Sequence, residues 1–536
     1  MSAAAGAQPV AHVSAWSPLR HPVFRAIWIA AVASNIGTLM HGVGAAWLMT
    51  SLDASPLAVS LVQAAANAPL FILALPAGAL ADVVDRRRLL IATEIWMVAA
   101  AAGLGLATLA GVIGPWGLLA FTFALAVGAA LNAPAWQAVM PELVPPSEVP
   151  EALALGGAGF NVARAVGPTL GGLVVATWGS APTFFLNSIS FLGVIVVLHR
   201  WRRTPEPELL PAERFVGALR AGVRYARSSP ELRAIFVRGT AFTLFASALW
   251  ALLPVVVHQE LRRGPDAYGV LLGALGLGAV LGAAALPRLR RRLGWDTVVS
   301  MASVVFALAM LALATVSRFP LLCVALLLGG AAWLGGLTTL NAAIQLSVAS
   351  WVRARALSVY LLFFFGSLSL GSVLWGWLGG RLGVPAALVL AAAGMITGLF
   401  MARRFRIPSG VVADLSPSLH WPAPAVAFEP ESQGGPVLVT VEYRIDPARA
   451  AEFAAAMQEV RRIRRRDGGM RWNLYADTAD PGRYVESYLS ESWVDHLRQH
   501  ERVTAADQAI EERARAFHIG PTPPVVSHLI QEGRLD

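Results

Sequence analysis

Lysine is absent. All 42 basic residues of this 536-residue chain are arginine, which coding bias is enough to explain and which carries no mechanism by itself. Cysteine occurs once, as Cys323 within an apolar run, so an intrachain disulfide is excluded. Charge of either sign is scarce: 14% of residues are charged, where a soluble domain carries about 25%, and 56% are hydrophobic. The shortage lies ahead of Met401, so that region is expected to be polytopic in a membrane, with soluble segments at its ends. The net charge of +9 does not indicate nucleic acid, because the arginines gather in loops between apolar runs and not on one soluble face. Met1–Pro22 has neither the charged start nor the apolar core of a signal peptide, so the first span is expected to stay uncleaved. No nucleotide-binding loop is present, which argues against a pump driven by ATP.

Twelve apolar runs are present, near 24–50, 58–81, 89–111, 116–138, 152–177, 182–200, 233–257, 266–287, 296–317, 319–344, 355–379 and 384–402. About 20 apolar residues cross a bilayer as a helix, so each run is read as a span. An even number places both termini on one side. Arg20 and Arg25 precede the first run, and Arg86, Arg87 and Arg88 follow the second. Arg200, Arg202, Arg203, Arg214, Arg220, Arg224 and Arg227 lie after the sixth. Arg288, Arg290, Arg291 and Arg292 follow the eighth, Arg353 and Arg355 the tenth, and Arg403, Arg404 and Arg406 the twelfth. The alternate loops hold only Arg262, Arg263, Arg318 and Arg381. Positive residues stay on the cytoplasmic side, so both termini are expected there. Residues 141–150, acidic and free of arginine, break the pattern. The expected division is a disordered N-terminus (1–22), a six-helix bundle (23–201), a basic linker (202–232), a second bundle (233–406), a second linker (407–434) and a soluble domain (435–536). Within the first linker, residues 215–225 read as an amphipathic helix on the membrane surface.

Between the second and third runs lies Gly78-Ala79-Leu80-Ala81-Asp82-Val83-Val84-Asp85-Arg86-Arg87-Arg88. This charged turn between two spans resembles the signature loop of the major facilitator superfamily, with Asp85 where a glycine is usual. The resemblance implies an all-α membrane region of twelve helices in two six-helix halves. It also implies a conformational switch formed by Gly78, Asp82, Asp85, Arg86 and Arg87; an ordinary positive-inside hairpin is the alternative. Leu286-Pro287-Arg288-Leu289-Arg290-Arg291-Arg292 holds the same place in the second half without the aspartate. In the fifth run, Gly167, Pro168, Gly171 and Gly172 resemble the antiporter motif of drug exporters in that superfamily, a packing kink being the alternative. The stretch from Trp16 to Arg406 resembles the bacterial transmembrane secretion effector branch that includes the enterobactin exporter. Residues 132–137, 160–172 and 353–356 carry much of that likeness.

Arg164 is the most exceptional residue within a span, because an arginine there costs about 2.5–3.5 kcal/mol or more to insert. It is expected to face the central cavity and bind an anionic group or set a neighbour's proton affinity; a tether to helix carbonyls is the alternative. Asn35, His41, Gln63, Asn67, Asn132, Asn161, Asn341 and Gln345 are the further polar candidates for the cavity, although amides also bridge helices. Among the tryptophans, Trp136 and Trp250 are the candidates for its wall. Proton coupling needs a group that titrates inside the membrane, and His41 and Glu94 are the candidates. Glu94 is equally placed to pair with Arg86 or Arg87. The carboxylate deep in the first helix and the arginine in the fourth that many superfamily members carry are missing, Ala124 standing about where that arginine would be.

After a linker rich in proline and serine (407–436), alternation at 437–443 signals a strand. Asp446-Pro447 caps a helix to about Arg466. Strands at 470–477 and 483–490 follow, then a helical stretch from Ser492 to Phe517 restarted by a capping box at Thr504 and Asp507, and a last strand at 524–530. The order βαββαβ is that of a ferredoxin-like α+β domain. It resembles the antibiotic biosynthesis monooxygenase group. His496 and His500, four apart on one helix face, fit metal or haem ligands, but no third ligand is evident nearby, so a structural role is expected and no metal or cofactor is assigned. The run Arg461-Arg462-Ile463-Arg464-Arg465-Arg466 is read as resting on anionic lipid or solvating a helix end.

The resemblances together imply a secondary transporter, not an enzyme, in a bacterial inner membrane. It would export a small amphipathic molecule such as a drug, siderophore or secondary metabolite by alternating access, with proton antiport. Its partners would be the lipid bilayer, the substrate and protons, with dimerisation through the soluble domain. A substrate-modifying soluble domain and an importer of the same fold stay open as alternatives.

Overall fold

The computed structural model describes residues 14–201, 224–225, 229–407, 414–418, 420–422, 424, 426 and 434–531; the side chains of residues 75, 79, 82, 83, 350 and 354 lie outside that description. The surface helix read at 215–225 and the side chain of Asp82 therefore fall largely or wholly outside it. The chain divides into two units: Met1–Ala212 with Arg238–Thr339 and Leu361–Arg404, and Glu213–Val237 with Leu340–Tyr360 and Phe405–Asp536.

Twelve long helices stand where the twelve runs lie. They are α1 (Pro22–Leu52), α2 (Pro56–Val83), α3 (Arg86–Leu109), α4 (Pro115–Val139), α5 (Val149–Trp178) and α6 (Ala181–Arg200). The second six are α7 (Pro230–Val255), α8 (Pro265–Leu293), α9 (Trp295–Thr315), α10 (Phe319–Ser347), α11 (Ser350–Leu382) and α12 (Val384–Met401). Proline opens several of them, where its missing N–H leaves no bond unmade. Among the described residues, eleven helices are long and apolar enough to cross a membrane; α5 falls short because its glycines, Asn161 and Arg164 dilute it. Outward-facing apolar side chains such as Leu109, Trp116 and Leu370 are largely exposed, as a hydrocarbon solvent requires. A π-helical turn, Val256–Glu260, prolongs α7 beyond Pro254.

The expected disorder of residues 1–22 does not extend to their end. Ser17–Arg20 forms a 3-10 turn with Ser17 and Pro18 buried, and His21 Nε2 lies 3.0 Å from Glu148. The acidic loop that broke the arginine pattern acts as counter-charge: Glu142 accepts from Arg86 Nη1 at 2.8 Å. Arg87 donates to the Leu198 and His199 carbonyls at the end of α6, at 2.8 and 2.7 Å. Asp85 caps α3 by accepting from the Arg88 N–H. In the second half, Asp296 on α9 pairs with the buried Arg238 at 3.1 Å, so an aspartate is present there, displaced from the loop into the next helix.

Helices α5 and α8 pack backbone to backbone. A Cβ built on Gly172 would lie 2.5 Å from the Pro265 carbonyl oxygen and 2.8 Å from Gly269 Cα; one on Gly269 would lie 2.6 Å from the Pro168 carbonyl oxygen. Pro168 has no N–H to offer the carbonyl of Arg164, four residues back, and Gly276 of α8 sits over that carbonyl with no room for a side chain. The other motif glycines, Gly167 and Gly171, face α1 at Leu39 and Met40.

In the second unit, β1 (Val437–Arg444), β2 (Met470–Ala476), β3 (Arg483–Ser490) and β4 (Val525–Ile530) form one antiparallel sheet in the order β2-β3-β1-β4. This is the order that two interleaved β-α-β crossovers give, and it matches the expected α+β plan. The helices are α13 (Ala450–Asp467), α14 (Trp493–Arg502) and α15 (Ala505–Arg515). Thr504 and Asp507 form the capping box that separates the last two. Phe453, Met457 and Val460 of α13 are buried against Val441 and Tyr443 of the sheet.

Gly172→Val is expected to overpack the α5–α8 contact and destabilise the detergent-solubilised protein by about 1–3 kcal/mol, read as a lowered thermal midpoint. Gly157→Ala, where nothing lies within 4 Å of an added Cβ, should leave the midpoint unchanged.

Candidate functional site

The first unit encloses a cavity of about 490 Å³ between the two helical halves, within the size range of small-molecule sites. Asn35 and His41 of α1, Gln63 of α2, Glu94 of α3 and Asn132 and Trp136 of α4 line it, with Trp250 of α7 on the opposite side. These sequence candidates are brought together. Gln137 of α4, a further amide of that span expected to make the cavity polar, lines it as well; Thr38, Thr122 and Tyr268 also contribute and were not singled out, since single hydroxyls in a span carry no periodic signal of their own. Val59, Val62, Met97 and Phe191 supply an apolar wall. The lining is thus mainly hydrocarbon, with a minority of amide, hydroxyl and ionisable side chains.

Other candidates lie elsewhere. Asn67 is buried and donates to the Gln63 carbonyl at 2.7 Å, a bond within its own helix. Arg164 and Asn161 are not among the lining residues, which corrects the cavity-facing expectation. The Arg164 guanidinium stacks 4.9 Å from the Phe160 ring one turn back, and its buried Nη1 lacks a partner. Asn341 and Gln345, in the second unit, are exposed and bonded to each other at 3.2 Å.

Glu94 does not pair with the basic loop. Its Oε1 accepts from Asn132 Nδ2 at 3.1 Å, and the same amide donates to Thr93 Oγ1 at 2.9 Å. Glu94 is 4% exposed, and its Oε2 is buried with no hydrogen-bond partner. His41, also 4% exposed, has neither ring nitrogen partnered and packs at 4.7 Å on Phe184. Away from the Arg86 end, the halves also touch: Trp47 meets Tyr268 and His258 at centroid distances of 6.4 and 5.5 Å, and Gln259 donates to the Ala54 carbonyl at 2.6 Å.

The second unit holds a separate pocket of about 600 Å³. Arg464 is buried beneath it, 3.0 Å from Glu486 and 2.6 Å from Glu511. Arg466 pairs with Asp467 and Asp507 at 2.8 and 2.6 Å. The arginine run is therefore not wholly a solvated or lipid-facing end: two of its members turn inward to ion pairs. Nor is the second linker only a tether. Ser418 bonds to Val503, and Trp421 Nε1 donates to Glu511 at 2.8 Å. Burial pushes the Glu511 carboxyl up, but Arg464 and the bonds from His420 and Trp421 outweigh it and hold it at about 2. A third imidazole, His528 of β4, joins His496 and His500, with ligand atoms of all three within 4.8 Å of one another. It was invisible in the sequence because it lies 28 residues beyond His500, and only the strand pairing brings it back. Burial, with the neighbouring His528 and His500, depresses His496 to about 3, and burial with the neighbouring His528 and Arg464 depresses His500 to about 4.

A family model for transmembrane secretion effectors matches residues 13–535. The chain belongs to that family. It is a membrane transporter, set in a lipid bilayer and acting on a small molecule. It is 24% identical to the Staphyloferrin A transporter of Staphylococcus aureus, over 63% of this chain and 85% of the relative. It is 25% identical to the multidrug efflux pump Tap of Mycolicibacterium fortuitum, over 69% and 92%. The enterobactin exporter EntS of Citrobacter koseri is 26% identical over 73% and 95%. Among solved structures, a bacterial homologue of the lysosomal transporter Spinster, inward-facing and unoccupied, aligns with a TM-score of 0.54 at 16% identity, covering 75% of this chain and 97% of that one. The nucleoside transporter NupG aligns at 0.56 and 11% identity, over 72% and 98%. These structures share the fold.

Arg464→Met leaves Glu486 and Glu511 buried without their cation, and is expected to destabilise the C-terminal domain by about 3–5 kcal/mol in urea unfolding of the solubilised chain. Because the folded Glu511 lies below its ordinary 4.5, its contribution is full above that value and is lost as pH falls towards about 2. The unfolding midpoint should drop over that window, and Glu511→Gln should flatten the drop.

Proposed function

We propose that the transporter exports a small amphipathic molecule by proton antiport, with Glu94 as the proton-carrying group. The observation that carries this reading is a buried carboxylate in the cavity wall with one oxygen held by Asn132 and the other unpartnered. Protonated, Glu94 is neutral and the cavity suits an uncharged or cationic amphipath against Trp136 and Trp250. Release of the proton leaves an anion that must be rehydrated or paired, which couples cavity opening to proton movement. His41 is the second group able to accept a proton there. The names of the relatives, an efflux pump and a siderophore exporter among them, favour outward transport.

Alternating access would pivot on the α5–α8 contact, with Gly167, Pro168, Gly171 and Gly172 as its close-packed surface. Asp85, Arg86 and Arg87 would brace their end of the first half through Glu142 and the α6 carbonyls, a switch role for which Gly78 and Asp82 remain candidates. The arginine distribution supports cytoplasmic termini in a bacterial inner membrane. The C-terminal domain is read as regulatory: in its unit, Trp351 at the start of α11 is covered by the Arg502 guanidinium at 4.6 Å and met edge-to-face by Tyr225 at 5.8 Å.

Glu94→Gln should raise accumulation of an effluxed dye or drug to the level of cells lacking the gene, and abolish its response to an uncoupler. Uncoupler-sensitive efflux by a stably inserted Glu94→Gln protein would overturn the assignment.

A further inference from the structure

We propose that His496, His500 and His528 bind one divalent transition-metal ion of the zinc, cobalt or nickel class, with an exchangeable position opening into the C-terminal pocket. The site is independent of the transport reading. His496 and His500 stand one turn apart on the same face of α14, and His528 reaches them from β4, where it pairs in register with Val439. The Nε2 atoms of His496 and His500 are 3.3 Å apart. Metal–nitrogen bonds of about 2.0–2.1 Å at tetrahedral angles give an edge of about 3.3–3.4 Å, so this pair already spans one. The third nitrogen lies within 4.8 Å, so ring rotation must bring it in by no more than about 1.5 Å.

Two further observations fit a ligand. A backbone hydrogen bond to Trp421 fixes the His500 ring, the kind of outer contact that orients metal-binding imidazoles. The nearby cations are offset: Arg464 by Glu486 and Glu511, and Arg515 by Glu511 at 3.7 Å. Three nitrogen donors without sulfur select borderline ions over cuprous ion or iron–sulfur clusters. The three rings share their pocket with Val439, Tyr488, Val526 and Trp421, so a fourth ligand from a small molecule has space beside the ion.

The test is titration of the full chain, purified in detergent through a histidine-free tag and stripped with chelator, with Co2+. One equivalent should bind with the intense visible bands of a four- or five-coordinate centre, and added azide should shift those bands. His500→Ala and His528→Ala should each weaken binding at least about 10-fold. His518→Ala, outside the cluster, should not. If circular dichroism shows that His528→Ala does not fold, His528→Gln replaces it with the side-chain volume largely kept. Sub-stoichiometric binding, a weak octahedral spectrum, or unchanged binding in the His500 and His528 variants would overturn the site. Bands indifferent to azide would overturn the exchangeable position.

Discussion

The structure depends on a close approach between α5 and α8 that only glycine permits. Two helices from opposite halves meet at Gly172, Gly269 and Gly276 with carbonyl oxygens where side chains would stand. In hydrocarbon, helices gain nothing from hiding apolar surface, so tight van der Waals contact and weak C–H···O bonds do the joining. The glycines that make this contact, together with Asn161 and Arg164, leave α5 short of a membrane-crossing hydropathy. Its glycines serve contact geometry at the cost of hydropathy, and its proline leaves free the carbonyl that Gly276 covers. A cavity wide enough for a small molecule can exist beside such a seam because the seam brings the two halves into close contact without filling the space next to it.

Much of the membrane region was legible because bilayer thickness and backbone hydrogen bonding leave few options. Run length located the helices, and the charged turn at Asp85–Arg88 marked the boundary between the second and the third. What misled was charge inside or near the membrane taken one residue at a time. Arg164 was expected to face water, yet the structure lays its guanidinium over Phe160. Glu94 was placed within reach of Arg86, whose actual partner, Glu142, belongs to the loop that contradicted the arginine count. Pairings of this kind join segments 56 residues apart and have no period to read.

In the C-terminal domain the alternation of β1 and the capping box at Thr504 disclosed the elements, and the sheet order followed from crossover rules. The interior did not follow. Arg464 and Arg466 sit in a run of five arginines that reads as uniformly solvated, and only helix phase turns these two towards Glu486, Glu511 and Asp507. His528 was hidden for a different reason: a lone imidazole on an edge strand acquires meaning only from the helix laid across it.

The π turn at the end of α7 has a consequence for length variation. A π turn holds one residue more than an α turn, and so sets the phase at which His258 and Gln259 leave the helix towards Trp47 and Ala54. Losing one residue within 256–260 would relax that turn into ordinary α-helix, which covers about the same angle with one residue fewer, so that the side chains beyond it shift little in phase and the span upstream keeps its own. The same loss near the middle of α7 would turn everything beyond it, Trp250 included. A one-residue deletion is thus tolerable at one end of this helix alone, where it leaves the cavity wall in place.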